Sequence, residues 1–223
     1  MRIAVVTGGH IEYDYVRKEL ETREFDAIIA CDSGCRFFLD EKINFDYAVG
    51  DFDSIDKKHY ELLMGEYADK VTKYPSEKDY TDTEIAVNLA MDLIDKDKST
   101  TLENSEIILY GATGTRIDHI LGNIELLYKP TVSGVRIAIT DSHNRIELIK
   151  DRRVIAREAG YPFFSIVPYG VSEVTVSEHG CKYELSNHKL GKGVTLGISN
   201  EVTADAAEIK VTCGMLVLVM SRD

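Results

Sequence analysis

Apolar and polar positions along the chain follow two different periods. Over roughly the first 140 residues, short apolar runs alternate with segments of helical period. The runs predict strands at 3–7, 26–31, 47–49, 70–73, 107–110 and 135–140. The helical segments predict helices near 13–20, 34–40, 57–67, 82–94 and 119–128. The clearest is the fourth, where Ile85, Leu89 and Leu93 recur every four residues beside Ala86 and Ala90. Strand–helix alternation of this kind predicts an α/β domain with a mostly parallel, Rossmann-like sheet flanked by helices.

From about Asn144 the period changes. Short alternating segments appear at 145–149, 153–156, 163–167, 171–177, 182–185, 194–198, 207–211 and 215–221. Turn residues such as Gly160, Pro168, Gly170, Gly180 and Gly214 separate them. Many short strands at regular spacing predict an all-β sandwich or barrel. The chain therefore reads as two domains, 1–142 α/β and 143–223 a β-sandwich.

Charge narrows the partners. A net charge of −12 lacks the basic footprint that nucleic-acid binding needs. It also disfavours an anionic membrane surface, and no apolar run is long enough to span a bilayer. A polyphosphate substrate remains compatible, because a few cations and a bound metal supply local positive charge. Cys31, Cys35, Cys181 and Cys213 form no C-x-x-C pair. They are read as reduced thiols of a cytoplasmic protein.

The chemistry gathers at the predicted strand ends, where ligands of open α/β sheets bind. Gly8-Gly9-His10 follows the first strand and Asp32-Ser33-Gly34 the second. Gly50-Asp51-Phe52-Asp53-Ser54 follows the third. Paired carboxylates after a glycine turn suit Mg²⁺, which takes hard oxygen ligands and keeps open positions for phosphate. The same residues also suit a plain Asx-turn. Ahead of the strongest helix, Thr81 and Glu84 form a capping box, and Asp82 favours the positive helix start. Lys78 and Asp79 lie outside that explanation and, with Asp82, offer groups to a polyphosphate and its metal. Gly111-Ala112-Thr113-Gly114-Thr115-Arg116-Ile117-Asp118-His119 joins a strand to a helix. It matches neither a Walker A loop nor G-x-G-x-x-G, yet it presents backbone N–H groups to an anion. Arg116 adds a bidentate phosphate donor, and Asp118 is read as the helix N-cap. Gly197-Ile198-Ser199-Asn200-Glu201 ends a predicted strand with polar groups suited to a turn or to a small polar ring.

Taken together and in order, these stretches resemble the bacterial thiamin pyrophosphokinase (thiamin diphosphokinase) family. The carriers are Asp32-Ser33-Gly34, Gly50-Asp51-Phe52-Asp53-Ser54, Lys78-Asp79-x-Thr81-Asp82, and Gly111-x-x-Gly114-x-Arg116-x-Asp118-His119 with Asn123. The last are Tyr183-x-Leu185 and Gly197-x-Ser199-Asn200-Glu201. Thr115 departs from the pattern, since many members carry a glycine there. The chain has no Trp, so an aromatic contact to thiamin must come from Tyr, Phe or His.

The resemblance implies a homodimer with active sites at the subunit interface. It implies ATP and thiamin as substrates, Mg²⁺ as cofactor, and thiamin diphosphate and AMP as products. On that reading Asp51, Asp53, Asp79 and Asp82 hold Mg²⁺, with Asp32 in support. Ser33, Lys78, Thr81, Gly111, Thr113, Gly114, Arg116, Asp118 and His119 meet ATP and its phosphates. Asn123, Ser199 and Asn200 meet thiamin. The general base is left between Asp51 and Asp79. Two alternatives stand beside it: a pyrophosphokinase for another hydroxymethyl heterocycle such as a hydroxymethylpterin, and a non-catalytic nucleotide or thiamin sensor.

Overall fold

The computed structural model describes residues 1–223 except Lys78. The fold divides into two compact units, Met1–Ser142 and His143–Asp223. In the first, the chain runs β1 (Arg2–Val6), α1 (Tyr13–Thr22), β2 (Ala27–Cys31), α2 (Cys35–Glu41), β3 (Tyr47–Gly50) and α3 (Lys57–Glu66). It continues through β4 (Val71–Lys73), α4 (Asp82–Lys96), β5 (Glu106–Tyr110), α5 (Ile117–Glu125), α6 (Tyr128–Ser133) and β6 (Arg136–Thr140).

The strands of this unit pair in parallel, in the order β6-β5-β1-β2-β3-β4. The chain builds outward from β1 to β4, then crosses back to place β5 on the other side of β1. That reversal is a topological switch point, and it opens a crevice beyond the carboxyl ends of β1 and β5. Both faces of the sheet are covered, so its strands are apolar throughout rather than alternating. Ala4, Val6, Ile108 and Tyr110 pack with Val16, Phe37, Phe38 and Leu63 of α1–α3. On α4, Ile85, Ala86, Val87, Ala90 and Ile94 are buried, and the helix packs on β1, β2 and β3.

Aromatic edges tie α1 and α2 together. Tyr13 meets Phe37 edge-on at 5.1 Å between centroids, and Phe37 meets Phe38 at 5.1 Å. Beside them, Asp56 caps α3 by accepting from the N–H groups of Lys58 and His59. His59 sits between two carboxylates, with Nδ1 2.5 Å from Asp56 Oδ2 and Nε2 2.9 Å from Asp40 Oδ1. The cap of α3 and the α2–α3 junction thus share one imidazole.

The second unit runs β7 (Asn144–Ile149), β8 (Arg152–Ala156), β9 (Phe163–Tyr169), β10 (Glu173–His179), β11 (Leu185–Gly191), β12 (Asn200–Glu201), β13 (Ala206–Cys213) and β14 (Met215–Ser221). β14 pairs antiparallel with β7 and β9, and β12 with β9. β10 pairs antiparallel with β11 and β13, and β13 with β8. The two sheets close on one core: Phe164, Ile166, Leu216 and Leu218 meet Val174, Val176, Ala207 and Ile209. This is the sandwich that the alternation predicts.

Four local readings change. The predicted strand at 194–198 is a turn-rich segment, and its alternating Val194, Leu196 and Ile198 are 55, 56 and 45% exposed. The predicted strand at 182–185 lies later, as Leu185–Gly191, an edge strand whose central residues are polar and exposed. The predicted strand at 171–177 begins two residues later. The predicted helix at 119–128 is two helices, because Pro130 lacks the N–H that the Leu126 carbonyl would need for helix to continue. All four cysteines are free thiols. Among the described residues no helix is long and apolar enough to cross a membrane.

The two carboxylates raise the His59 pKa, with the Asp56 hydrogen bond the largest cause and Asp40 next. Its folded value therefore lies above the unfolded value of about 6.5. The contribution to stability is full below that unfolded value and is lost as pH rises through the folded one. We expect the stability difference between wild type and His59→Gln to be largest near pH 6 and to shrink toward pH 8–9, measured by denaturant unfolding across pH. A constant difference across that window overturns the assignment.

Candidate active site

Strand-end loops of the first unit are pressed together at the switch point. The Thr7 N–H donates to Tyr110 O at 2.8 Å, Gly9 N–H to Gly111 O at 2.9 Å and His10 N–H to Thr113 O at 2.8 Å. Thr7 Oγ1 also donates to Gly111 O at 2.6 Å. The loop after β1 is thereby laced to the loop after β5. Glycine permits this closeness: a Cβ on Gly9 would lie 2.3 Å from Gly111 O and 2.4 Å from Thr113 O. The result is a cleft of about 600 Å³ whose lining includes Thr7, Gly8, Gly9, Asp32 and Gly111.

Asp32 and Asp82 line the cleft, and Asp32 belongs to an acidic cluster beside it. Carboxylate oxygens of Asp32, Asp51 and Asp53 lie within 4.8 Å of one another. Gly50 makes the approach possible, since its φ is +150° and a Cβ there would stand 3.1 Å from Asp32 Cα and N. Asp32 and Phe52 both hold positive φ, 47° and 61°. Such conformations cost free energy for residues with a side chain and cluster at functional sites. Asp51 is nearly buried, and Asp32 Oδ1 is buried without a hydrogen-bond partner among the described residues. Burial pushes the Asp32 carboxyl above its usual range. The charges of Asp82, Asp51 and Asp53 push the same way, against a hydrogen bond from the Ser33 backbone.

An orphaned buried oxygen in a trio of crowded carboxylates fits a hard divalent cation. Asp32 belongs to that trio, which is a more central place than a supporting one. Asp82 begins α4 and is close enough to act on Asp32. Asp79 is exposed and outside the trio. Lys78 lies outside the described residues.

Donors line the cleft as well. Thr81 caps α4, its side chain accepting from the Glu84 N–H at 3.1 Å. The reciprocal half of the capping box is replaced, as the Glu84 carboxylate faces Lys129 at 3.5 Å. Thr113, Gly114, Arg116 and His119 also line the cleft. Asp118 is not the N-cap of α5: the helix starts at Ile117 with Arg116 in the cap position. Asp118 instead takes a two-pronged contact from Arg116, at 2.5 Å from Nη2 and 3.2 Å from Nε. This pairing holds the Asp118 carboxyl below its usual range. The cleft is thus flanked by an exposed guanidinium whose planar fork matches a phosphate as well as a carboxylate. Ser33 is buried, its Oγ 3.5 Å from Gly8 O. Asn123 lines the cleft while its Nδ2 donates to Ala112 O at 2.8 Å.

Sequence reasoning located Gly8-Gly9-His10 but gave them no role, and it passed over Thr7, Thr83 and Ile120; all of these line the cleft. The Gly8-Gly9 pair directly after β1 was the available signal, because the first and fifth strands meet only through topology.

In the second unit, the segment 197–201 is fastened to β9. Ile166 N–H donates to Gly197 O at 2.8 Å, and Ser199 N–H to Ser165 Oγ at 3.0 Å. Ser199 is exposed with φ +58°, and the strand expected before it is absent. Asn200 is 3% exposed and occupied internally. Its Oδ1 accepts from the N–H groups of Tyr183 and Glu201, and its Nδ2 donates to Tyr183 O.

A parallel-sheet crevice with clustered acids, a glycine-bearing loop and an exposed arginine is the equipment of a phosphate-handling enzyme. Comparison with known proteins narrows the class. Residues 19–139 match the family model described as thiamin pyrophosphokinase, catalytic domain, and 152–216 match thiamin pyrophosphokinase, vitamin B1 binding domain. The chain is 32% identical over 206 residues to a thiamine pyrophosphokinase of Bacillus subtilis, covering 91% of this chain and 90% of the relative. A crystal structure of thiamine pyrophosphokinase from Bacillus subtilis superposes with a TM-score of 0.85 at 28% identity, both chains covered in full. One from Geobacillus thermodenitrificans gives 0.83 at 29%, covering 100% of this chain and 98% of that one. The chain belongs to the thiamin pyrophosphokinase family.

The seam between the first and fifth strand ends sets the next expectation. Gly9→Ala must push backbone apart, and we expect it to cost about 1–3 kcal/mol of stability. A Cβ added to Gly122 in α5 would meet nothing within 4 Å, so Gly122→Ala should be neutral or stabilising by up to about 1 kcal/mol. Urea unfolding of both variants checks the contrast; equal effects would show that the seam is not close-packed.

Proposed function

We propose that this enzyme transfers the pyrophosphoryl group of ATP to the primary hydroxyl of thiamin, giving thiamin diphosphate and AMP. The observation that carries the reading is the Asp32–Asp51–Asp53 trio at the switch point of a chain that belongs to this family. The match of 152–216 to a vitamin B1 binding domain supports thiamin over a hydroxymethylpterin.

The thiamin hydroxyl oxygen attacks the β-phosphorus in line. The bond from the β-phosphorus to the oxygen bridging it to the α-phosphorus breaks, and AMP leaves with the electron pair. A carboxylate, Asp51 or Asp79, takes the hydroxyl proton. Asp32, Asp51, Asp53 and Asp82 are the residues that would hold Mg²⁺. When bound, the ion neutralises charge on the phosphate oxygens, the main catalytic need in phosphoryl transfer. The loop 111–114, held in place by its lacing to 7–10, offers its backbone N–H groups to the phosphates. Arg116 exchanges Asp118 for a phosphate, and His119 stands beside it. Residues 1–142 then serve the nucleotide and metal and add Asn123 to the thiamin side, and 143–223 serve thiamin, through Ser199, and dimerisation. The setting is cytoplasmic.

Uncovered apolar surface supports a homodimer. α5 buries none of its residues, and its Ile117 and Leu121, one turn apart, are 70 and 59% exposed. Val194, Leu196 and Ile198 are exposed in the second unit. Patches of this kind mark interfaces, and a second copy of the chain is the commonest occupant.

Purified protein with ATP, thiamin and Mg²⁺ should release AMP rather than ADP, and Asp51→Asn or Asp53→Asn should abolish turnover while the fold stays intact. Release of ADP, or near-normal turnover of either variant at limiting Mg²⁺, rejects the mechanism.

If each site draws phosphate residues from one chain and ring-binding residues from the other, two inactive variants should complement. Asp51→Asn mixed with Ser199→Ala/Asn200→Ala should recover about a quarter of wild-type activity after random exchange, since half the dimers are mixed and each has one intact site. No recovery after verified exchange confines each site to its own chain.

A further inference from the structure

The loop 111–114 is held by its carbonyls. Gly111 O accepts from the Gly9 N–H at 2.9 Å and from Thr7 Oγ1 at 2.6 Å. Thr113 O accepts from the His10 N–H at 2.8 Å. Ala112 O, between them, accepts from Asn123 Nδ2 at 2.8 Å. Three successive carbonyls are thus taken by groups outside the loop. The peptides are trans, and a trans peptide points its C=O and the following N–H in opposite directions. Holding these carbonyls therefore turns the N–H groups of Ala112, Thr113 and Gly114 away from the groups that hold them. Those three N–H groups, and that of Thr115, have no hydrogen-bond partner among the described residues. Successive unpaired backbone N–H groups form a concavity for an anion.

The middle peptide differs from its neighbours. Backbone donors hold the carbonyls of Gly111 and Thr113. Among the described residues, the Ala112 carbonyl is held by the Asn123 side chain alone. Asn123 reaches it from α5 and lines the cleft together with Ala112 and Thr113. The Ala112 acceptor also fixes which end of the Asn123 amide faces the loop. Ala112 is buried. Without a donor at position 123 its carbonyl would stay unpaired or swing, and the Thr113 N–H would turn with it.

We propose that Asn123 is a positioning residue for the polyphosphate: its amide holds the Ala112 carbonyl back and so aims the Thr113 N–H at the phosphate chain. This is a second duty beside the thiamin contact, and it rests on the reading of loop 111–114 as the phosphate contact. A residue assigned to one substrate then sets the affinity for the other.

The test titrates ATP and inorganic tripolyphosphate, each with Mg²⁺ and without thiamin, into wild type and Asn123→Leu by calorimetry, with thermal unfolding alongside. Leucine keeps the outline of asparagine but donates nothing. Asn123→Leu should weaken both ligands about tenfold and by the same factor, the scale of one lost orienting hydrogen bond. Its Tm should stay within about 3 °C of wild type. Should it not fold, Asn123→Ala takes its place. Unchanged affinity for ATP overturns the proposal and leaves Asn123 to thiamin alone. A loss confined to ATP also overturns it, because the amide then acts on the nucleoside rather than on the phosphates. A fall in Tm well beyond that range makes the contact structural and overturns it too. The two readings fail differently. If wild type and Asn123→Leu bind tripolyphosphate equally well, the positioning role alone fails. If wild type binds ATP but not tripolyphosphate, this loop does not read the phosphates and both readings fall.

Discussion

The site depends on bringing like charges together. Two full charges 4.8 Å apart repel by roughly 3.5 kcal/mol at an effective dielectric constant near 20. A fold does not hold Asp32, Asp51 and Asp53 at such spacing unless backbone packing enforces it. Gly50 supplies the enforcement, letting the loop after β3 touch the backbone of Asp32 after β2. The strain is visible in the positive φ of Asp32 and Phe52. Part of the repulsion is relieved by the raised Asp32 pKa. The remainder is what a bound cation would relieve, so the trio stores electrostatic cost rather than adding stability.

That cost is carried by a core arranged around it. α1–α3 bury an aromatic cluster against the sheet, and α4 packs on β1, β2 and β3. The strand ends are free to be polar because the strand middles are fully apolar. The lacing of Thr7, Gly9 and His10 to the loop after β5 works the same way: main-chain hydrogen bonds set the cleft, and side chains only line it. Shape that is set by backbone is rigid at the scale phosphate positioning requires.

Much of this was legible beforehand, for identifiable reasons. Apolar runs ending in Gly or Asp locate strand ends directly, so Asp32, Asp51 and Asp53 could be named from order alone. Their grouping follows from adjacency of β2 and β3, which strand–helix alternation already predicts. The loop after β1 was undervalued because its partner lies about a hundred residues away, and only the crossover to β5 joins them. Asp118 looked like a cap because Asp commonly caps helices, but the fork of Arg116 two residues earlier competes for it. In the second unit, alternation at 194–198 resembled a strand, yet those apolar groups face outward. Period reports a face, not what the face meets.

The same distinction separates the two ways this chain places buried polar groups. Thr7 is buried and satisfied by Gly111, so it holds structure. Asp32 and Glu178 each keep a buried oxygen without a partner among the described residues, and packing alone gives no reason for either. On the proposed reading, the reason at Asp32 is external, an oxygen-seeking cation that would complete its coordination there. Unsatisfied groups of this kind are where stability has been given up, and at Asp32 that cost falls within the acidic cluster of the site.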